Sequence, residues 1–372
     1  MEKFIIFVKI NHVEKRIYLV TLLLFCVIMH GQTARKYSNE FLNIGVDAAS
    51  FGMAGSVIAQ TNDVNSGYWN PAGLVHLQGK QISLMHASYF ANIAQYDFAA
   101  YAMPIDEKSA LAISAIRFGV DDIMNTTELI DQNGNIDYNR ISLFSAADYA
   151  FNFSYARKLS VEGLSLGANA KVVRRIIGEF AKSWGFGLDV GLQYHTEEWK
   201  FGLMARDITT TYNVWNINEA EFEKIKGAVE GQNQTLPETT ELTLPKLQLG
   251  VARDFPLSEK FNLTTAAVLH TEFYETNALI STSAFSIQPS VGFEFGYDRM
   301  VFVRAGMGNF QNELQIDDTK KTTFQPNVGL GFKYKGIQVD YALTDIGDQS
   351  AALYSNIFSL KLDLEIFSNS NE

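Results

Sequence analysis

The sequence predicts an all-β membrane protein, an antiparallel transmembrane β-barrel of about 14 strands preceded by an N-terminal hatch or plug segment. Three observations predict it. Large apolar residues alternate with small or polar ones at period 2 along most of the chain. The alternating runs are about 10–13 residues long, the length of a tilted bilayer-crossing strand and about twice that of a soluble one. Short connections alternate with longer ones, as periplasmic turns alternate with external loops.

The N-terminus reads as an address. Lys3, Lys9, Lys15 and Arg16 precede an apolar run of 13 residues, Ile17–Met29, and Gly31 follows as a small residue. That is the three-part layout of a secretory signal peptide over residues 1–31, too short to span a bilayer as a helix. Cys26, the single cysteine, lies within it, so no disulfide framework is expected. No later stretch approaches 18 consecutive apolar residues, which excludes a helical membrane protein. Residues 32–79 precede the first strand and are assigned to the hatch.

The barrel is assigned to residues 80–372. Its strands are expected near 80–90, 92–103, 108–118, 147–157, 163–175, 183–195, 198–207, 244–254, 260–273, 284–297, 300–309, 323–334, 336–344 and 355–367. The clearest runs from Trp184 to Tyr194, with Trp184, Phe186, Leu188, Val190, Leu192 and Tyr194 on one face and Gly185, Gly187, Asp189, Gly191 and Gln193 on the other. Tyr194, Tyr297 and Tyr334 close such stripes, where an interfacial aromatic girdle belongs. Asp97, Arg117, Lys171, Asp189, Glu294, Arg304, Lys333, Asp340 and Lys361 are assigned to the inner face. Facing lipid near the midplane, each Lys or Arg would cost about 2–4 kcal/mol. Glycines such as Gly185, Gly187, Gly329 and Gly331 would let another segment approach the wall.

Long external connections are expected at 119–146 and 208–243. The second, 36 residues long, holds Tyr212 and Trp215. A helix start follows at Asn218-Glu-Ala-Glu221, then Phe222, Ile225 and Val229 on one stripe. These five form the candidate partner-binding set, with a lid over the barrel mouth as the alternative use of the loop. Asp131–Asp137 reads as an Asn-Gly turn, since Ser142 stands where a calcium loop needs Glu.

Net charge is −11 and no Lys/Arg block follows the N-terminus, so the cationic stripe that nucleic acid requires is missing. The histidines have no metal-ligand spacing, and no nucleophile-base order stands out from chance, so neither metal, cofactor nor enzyme activity is expected.

The segments FLNIGVDAASFGMAG, NSGYWNPAGL, SAADYAFNFSYARKL, LSLGANAKVV and GFGLDVGLQY together resemble the PorV/PorQ family of outer-membrane proteins. The family is in turn similar to FadL-type hydrophobe channels. The resemblance is clearest over residues 38–207. It implies a barrel in the Gram-negative outer membrane serving type IX secretion, by binding cargo C-terminal signal domains or other translocon and attachment components. The barrel itself would be monomeric within a hetero-complex. Gly73 and Leu74 after Asn70-Pro71-Ala72 depart from the shuttle members' pattern, so shuttle and paralogue both stay open. The alternative is a FadL-like channel for hydrophobic small molecules, with Phe51, Met53 and Met85 as pocket contributors.

Overall fold

The computed structural model describes residues 38–90, 92–130, 134–228, 237–315, 319–344 and 355–368, without the side chains of residues 225–228 and 367–368. The signal-peptide assignment and Val229 lie outside these residues.

The first strands are β1 (Gln81–Tyr89), β2 (Ala94–Pro104), β3 (Ser109–Asn125), β4 (Ser142–Lys158), β5 (Leu164–Ile177), β6 (Ala181–His195) and β7 (Trp199–Arg206). After β8 (Thr211–Ile217) and β9 (Thr240–Thr243) come β10 (Lys246–Pro256), β11 (Phe261–Glu272) and the short β12 (Ile280–Ser281). The chain ends with β13 (Ser286–Tyr297), β14 (Val301–Leu314), β15 (Lys320–Tyr334), β16 (Ile337–Thr344) and β17 (Ser355–Asp363). Counting β8 as the continuation of β7 and leaving aside β9 and β12, which belong to external connections, 14 strands form the wall among the described residues, each antiparallel to its neighbours. The sheet closes on itself: β1 pairs with β17 from Gln81↔Asp363 to Ser88↔Asn356. Closure leaves no unpaired edge within the wall, the condition for strands to cross lipid.

The alternation assigns the two faces. Phe186 is 63% exposed and Leu330 59%, with no protein layer over them, whereas Asp189 on the opposite face is 2% exposed. Tyr194, Tyr297 and Tyr334 are exposed at strand ends beside the short turns. Lys171, Asp189, Glu294, Arg304, Asp340 and Lys361 lie on the inner face and pair there. Arg304 bonds Glu294 at 2.6 Å and Asp340 at 2.7 Å, and Lys361 bonds Asp63.

Two inner-face assignments are wrong. Asp97 and Arg117 point outward, because Tyr96, Phe98 and Ile116 take the inward positions of β2 and β3 and are buried. Residues 38–79 supply the reason. Their Val46, Met53, Val57, Ile58 and Leu74 form one core with the inward residues of the first strands. The interior there is apolar, so polarity no longer marks the inner face.

Close approach of this segment depends on glycines. A Cβ on Gly202 would stand 2.5 Å from the Ile58 carbonyl oxygen, and one on Gly167 would stand 2.3 Å from the Ala72 nitrogen. Gly329 meets Gly52 in the same way, while Gly185 and Gly187 admit β8 instead. Asn70 anchors the segment: its amide donates to the Ile58 carbonyl at 2.9 Å and to Leu192 of β6 at 3.0 Å. Its Oδ1 accepts from the Ala72 N–H at 3.2 Å, capping the 3-10 turn Pro71–His76 with Pro at its start.

Other boundaries differ from expectation. β3 and β4 run on together past a bulge at Val120/Ile123, so their connection shortens to residues 126–141. The last strand stops at Asp363 and residues Leu364–Ser368 form a helical turn.

Candidate functional site

The external side is built around the β7–β10 connection. β7 breaks at Asp207–Thr210, where both terminal residues take positive φ, 54° and 58°. Lys171, 3% exposed at its side chain, bonds Asp189 at 2.8 Å and Asp207 at 2.7 Å, and the Asp207 N–H donates to Asp189 at 2.8 Å. Two carboxylates thus converge on one buried ammonium, and neither is left unpaired. β8 then resumes the wall against the top of β6, from Phe186↔Tyr212 to Ala181↔Ile217, and β9 pairs with β8.

Between β8 and β9 stands the expected helix, Glu219–Ala228. Asn218 Oδ1 accepts from the Ala220 N–H at 3.2 Å, and the Phe222 N–H donates to the Asn218 carbonyl at 3.0 Å, closing the first turn. Lys224 bridges Glu221 at 2.9 Å and Glu128 of the β3–β4 connection at 3.4 Å, which ties the two external loops together.

The candidate residues do not form one patch. Tyr212 lies on the outward wall face opposite Phe186, a girdle position at the outer rim. Trp215 lies on the other face of β8. The Arg175 guanidinium sits 5.1 Å over its ring, itself held by Asp148 at 2.8 Å and Glu241 at 3.0 Å. Phe222 is half-buried on the helix, and Ile225 belongs to the same helix.

Below this rim is a cavity of about 660 Å³, floored by Phe51, Tyr68 and Trp69 and walled on one side by Arg206, Lys246, Gln248, His270 and Glu272. Sequence reasoning missed these wall residues because each occupies an ordinary polar position of an alternating strand. Only the register of β7, β10 and β11 brings them together. Lys246 bonds Glu272 at 2.8 Å. Arg206 donates to the Tyr68 carbonyl at 2.9 Å and lies 4.6 Å over the Tyr68 ring. Burial pushes the Tyr68 hydroxyl above its ordinary pKa, with Arg206 opposing. Met53 and Met85 are core residues, 2% and 4% exposed, outside this cavity's lining.

Beneath it, the Asp47 carboxylate accepts from Ser50 and Ser359, and burial raises its pKa against the pull of Lys361. At the other end of the inner segment the His76 and His195 rings stack at 4.5 Å. Burial, aided by His195, Lys158 and Lys200, pushes the His76 pKa down to about 4.

A family model described as type IX secretion system protein PorV matches residues 30–276. The chain belongs to the PorV family. Among solved structures, this PorV-family barrel is similar to the CymD monoaromatic hydrocarbon channel (14% identity, 86% of this chain and 97% of that one, TM-score 0.53). It is also similar to the toluene transporter TodX of P. putida (12% identity, 86% and 98% coverage, TM-score 0.55). At such identities the likeness is one of fold, an integral outer-membrane barrel. No curated protein matches the chain.

Proposed function

We propose that this PorV-family barrel serves type IX secretion as a binding and scaffold protein. Its external loops recognise cargo C-terminal signal domains or other translocon and attachment components. The observation that carries this reading is the family match, together with an external end where Lys224 of the loop helix meets Glu128 of the β3–β4 connection. A preorganised surface loses less conformational entropy on binding a protein. Trp215 and Phe222 are the aromatic anchors on it, and the role requires no bond-making chemistry.

A second reading, uptake of hydrophobic small molecules, is favoured by the shared fold with hydrocarbon channels. The cavity wall counts against it, since Arg206, Lys246, Gln248, His270 and Glu272 are poor partners for a hydrocarbon.

Affinity isolation of the tagged protein from outer membranes separates the two. The secretion reading expects type IX cargo or attachment proteins in the eluate, and Phe222→Ser with Ile225→Ser should reduce their recovery without lowering barrel yield. Recovery of none, with loss of labelled fatty-acid uptake on deletion, would establish the channel reading instead.

A further inference from the structure

Polar groups cluster on the outward face of β1 and β2, within a wall that otherwise turns mainly apolar side chains to lipid. His86 and Ser88 stand two apart on β1, so both point outward, and Asp97 stands directly opposite His86 on β2. The His86 and Asp97 side chains are 53% and 43% exposed. Nδ1 of His86 lies 2.7 Å from Asp97 Oδ1, and Nε2 lies 3.4 Å from Ser88 Oγ. In the tautomer that carries its proton on Nδ1, His86 donates to Asp97 and its Nε2 lone pair receives the Ser88 hydroxyl. This is the Ser-His-Asp arrangement, recognised by geometry and roles and often loose at the nucleophile before substrate binds.

We propose that Ser88, His86 and Asp97 form a lipid-facing esterase site that cleaves the acyl ester of an outer-leaflet lipid. The surroundings fit that substrate in three respects. Ser88 is the penultimate residue of β1 and the external hairpin spans only residues 90–93, with Phe90 and Ile93 exposed. The hydroxyl therefore sits at the outer edge of the apolar band, where headgroup meets acyl chain. Below it runs a groove of about 700 Å³ with Ala99 and Ala115 in its floor, flanked by Leu84, Phe151 and Phe358. Small residues between large ones leave a channel for an acyl chain. Finally, Gln95 and Asn356 stand opposite Ser88 in register on either side and share its face. Asn356 Oδ1 accepts from the Tyr341 hydroxyl at 2.6 Å, which leaves its N–H group to donate to an oxyanion.

In the reaction Ser88 Oγ attacks the ester carbonyl as its proton passes to His86 Nε2. Collapse of the tetrahedral intermediate expels the lipid alkoxide, which takes that proton. Water from the interface then attacks the acyl-serine, giving one proton to His86, which returns it to Ser88 Oγ as the fatty acid leaves. Asp97 is a positioning residue, holding the tautomer and stabilising the imidazolium. Arg117 is bonded to Asp121 at 3.0 Å and stands 4.0 Å from Asp97, which leaves the Asp97 carboxylate facing His86. This proposal is independent of the secretion role and goes against the sequence expectation that the chain performs no chemistry.

The test uses the full chain reconstituted in vesicles of acyl-labelled phosphatidylethanolamine and, separately, of lipid A. An alkyl fluorophosphonate serves as a covalent probe read by mass spectrometry. Fatty acid should be released from one of the two lipids, identifying the source, and the probe should mark Ser88. Ser88→Ala should abolish both, and Asp97→Asn should lower release by about 10³-fold or more, with partial rescue by Asp97→Glu. Absence of release from both lipids overturns the proposal, as does labelling that avoids Ser88.

Discussion

Lys171 illustrates what single residues contribute inside this wall. Its ammonium is shut between Asp189 and Asp207, so Lys171→Met would leave two buried carboxylates uncompensated. The expected cost is about 3–5 kcal/mol, read as a lower urea midpoint for refolding into vesicles, with most of it regained on adding Asp189→Asn and Asp207→Asn. His76 gives a pH dependence of defined sign. Unfolded, it binds a proton near 6.5, and folded near 4, so between those values the unfolded chain holds more protons. Stability present above pH 6.5 should therefore fall as pH drops towards 4, and His76→Phe, which keeps a ring stacked on His195, should flatten that part of the profile. Residue types were legible in the sequence, but their partners were not. Asp97 was misassigned because an apolar inner segment makes both faces of β2 suit apolar side chains. The His86–Ser88–Asp97 cluster went unseen because its third member arrives through the β1–β2 register.

At the scale of elements, the strands were legible almost to the residue where alternation was strict, as from Trp184 to Tyr194. Legibility failed where pairing continues beyond the apolar stripe. Nothing apolar and periodic announces Ile123–Asn125 against Ser142–Phe144, yet the backbone pairs there because each strand offers the other a partner. The loop helix was legible from Asn218 and its stripe, whereas the return of β8 to the wall depends on the buried Lys171 cluster. We propose that residues 38–79 act as a hatch, held by shape more than by charge. Gly202→Val, placing atoms 2.5 Å from the Ile58 carbonyl oxygen, should leave the wall hydrogen bonds intact while dislodging this segment. Faster amide exchange at residues 56–60 with unchanged protection of β5 and β6 is the expected result. Equal loss in both would show that the segment and the wall fold as one unit.

The described residues form a closed sheet that turns mainly apolar side chains to lipid and encloses both a polar network and the apolar core of residues 38–79, with β9 and the loop helix on its external end. The family match and the fold place it in the outer membrane. Secretion partners are read from the loops, and the acyl-ester site from the lipid-facing wall. Both readings require the outward and external surfaces to meet different media. The most direct measurement is site-specific photo-crosslinking in intact cells, with the probe at Phe186 on the outward wall and at Phe222 on the loop helix. Lipid adducts are expected from position 186, and from position 222 protein adducts that contain type IX cargo or attachment components. Protein adducts covering position 186, with only water-quenched probe at 222, would contradict that expectation.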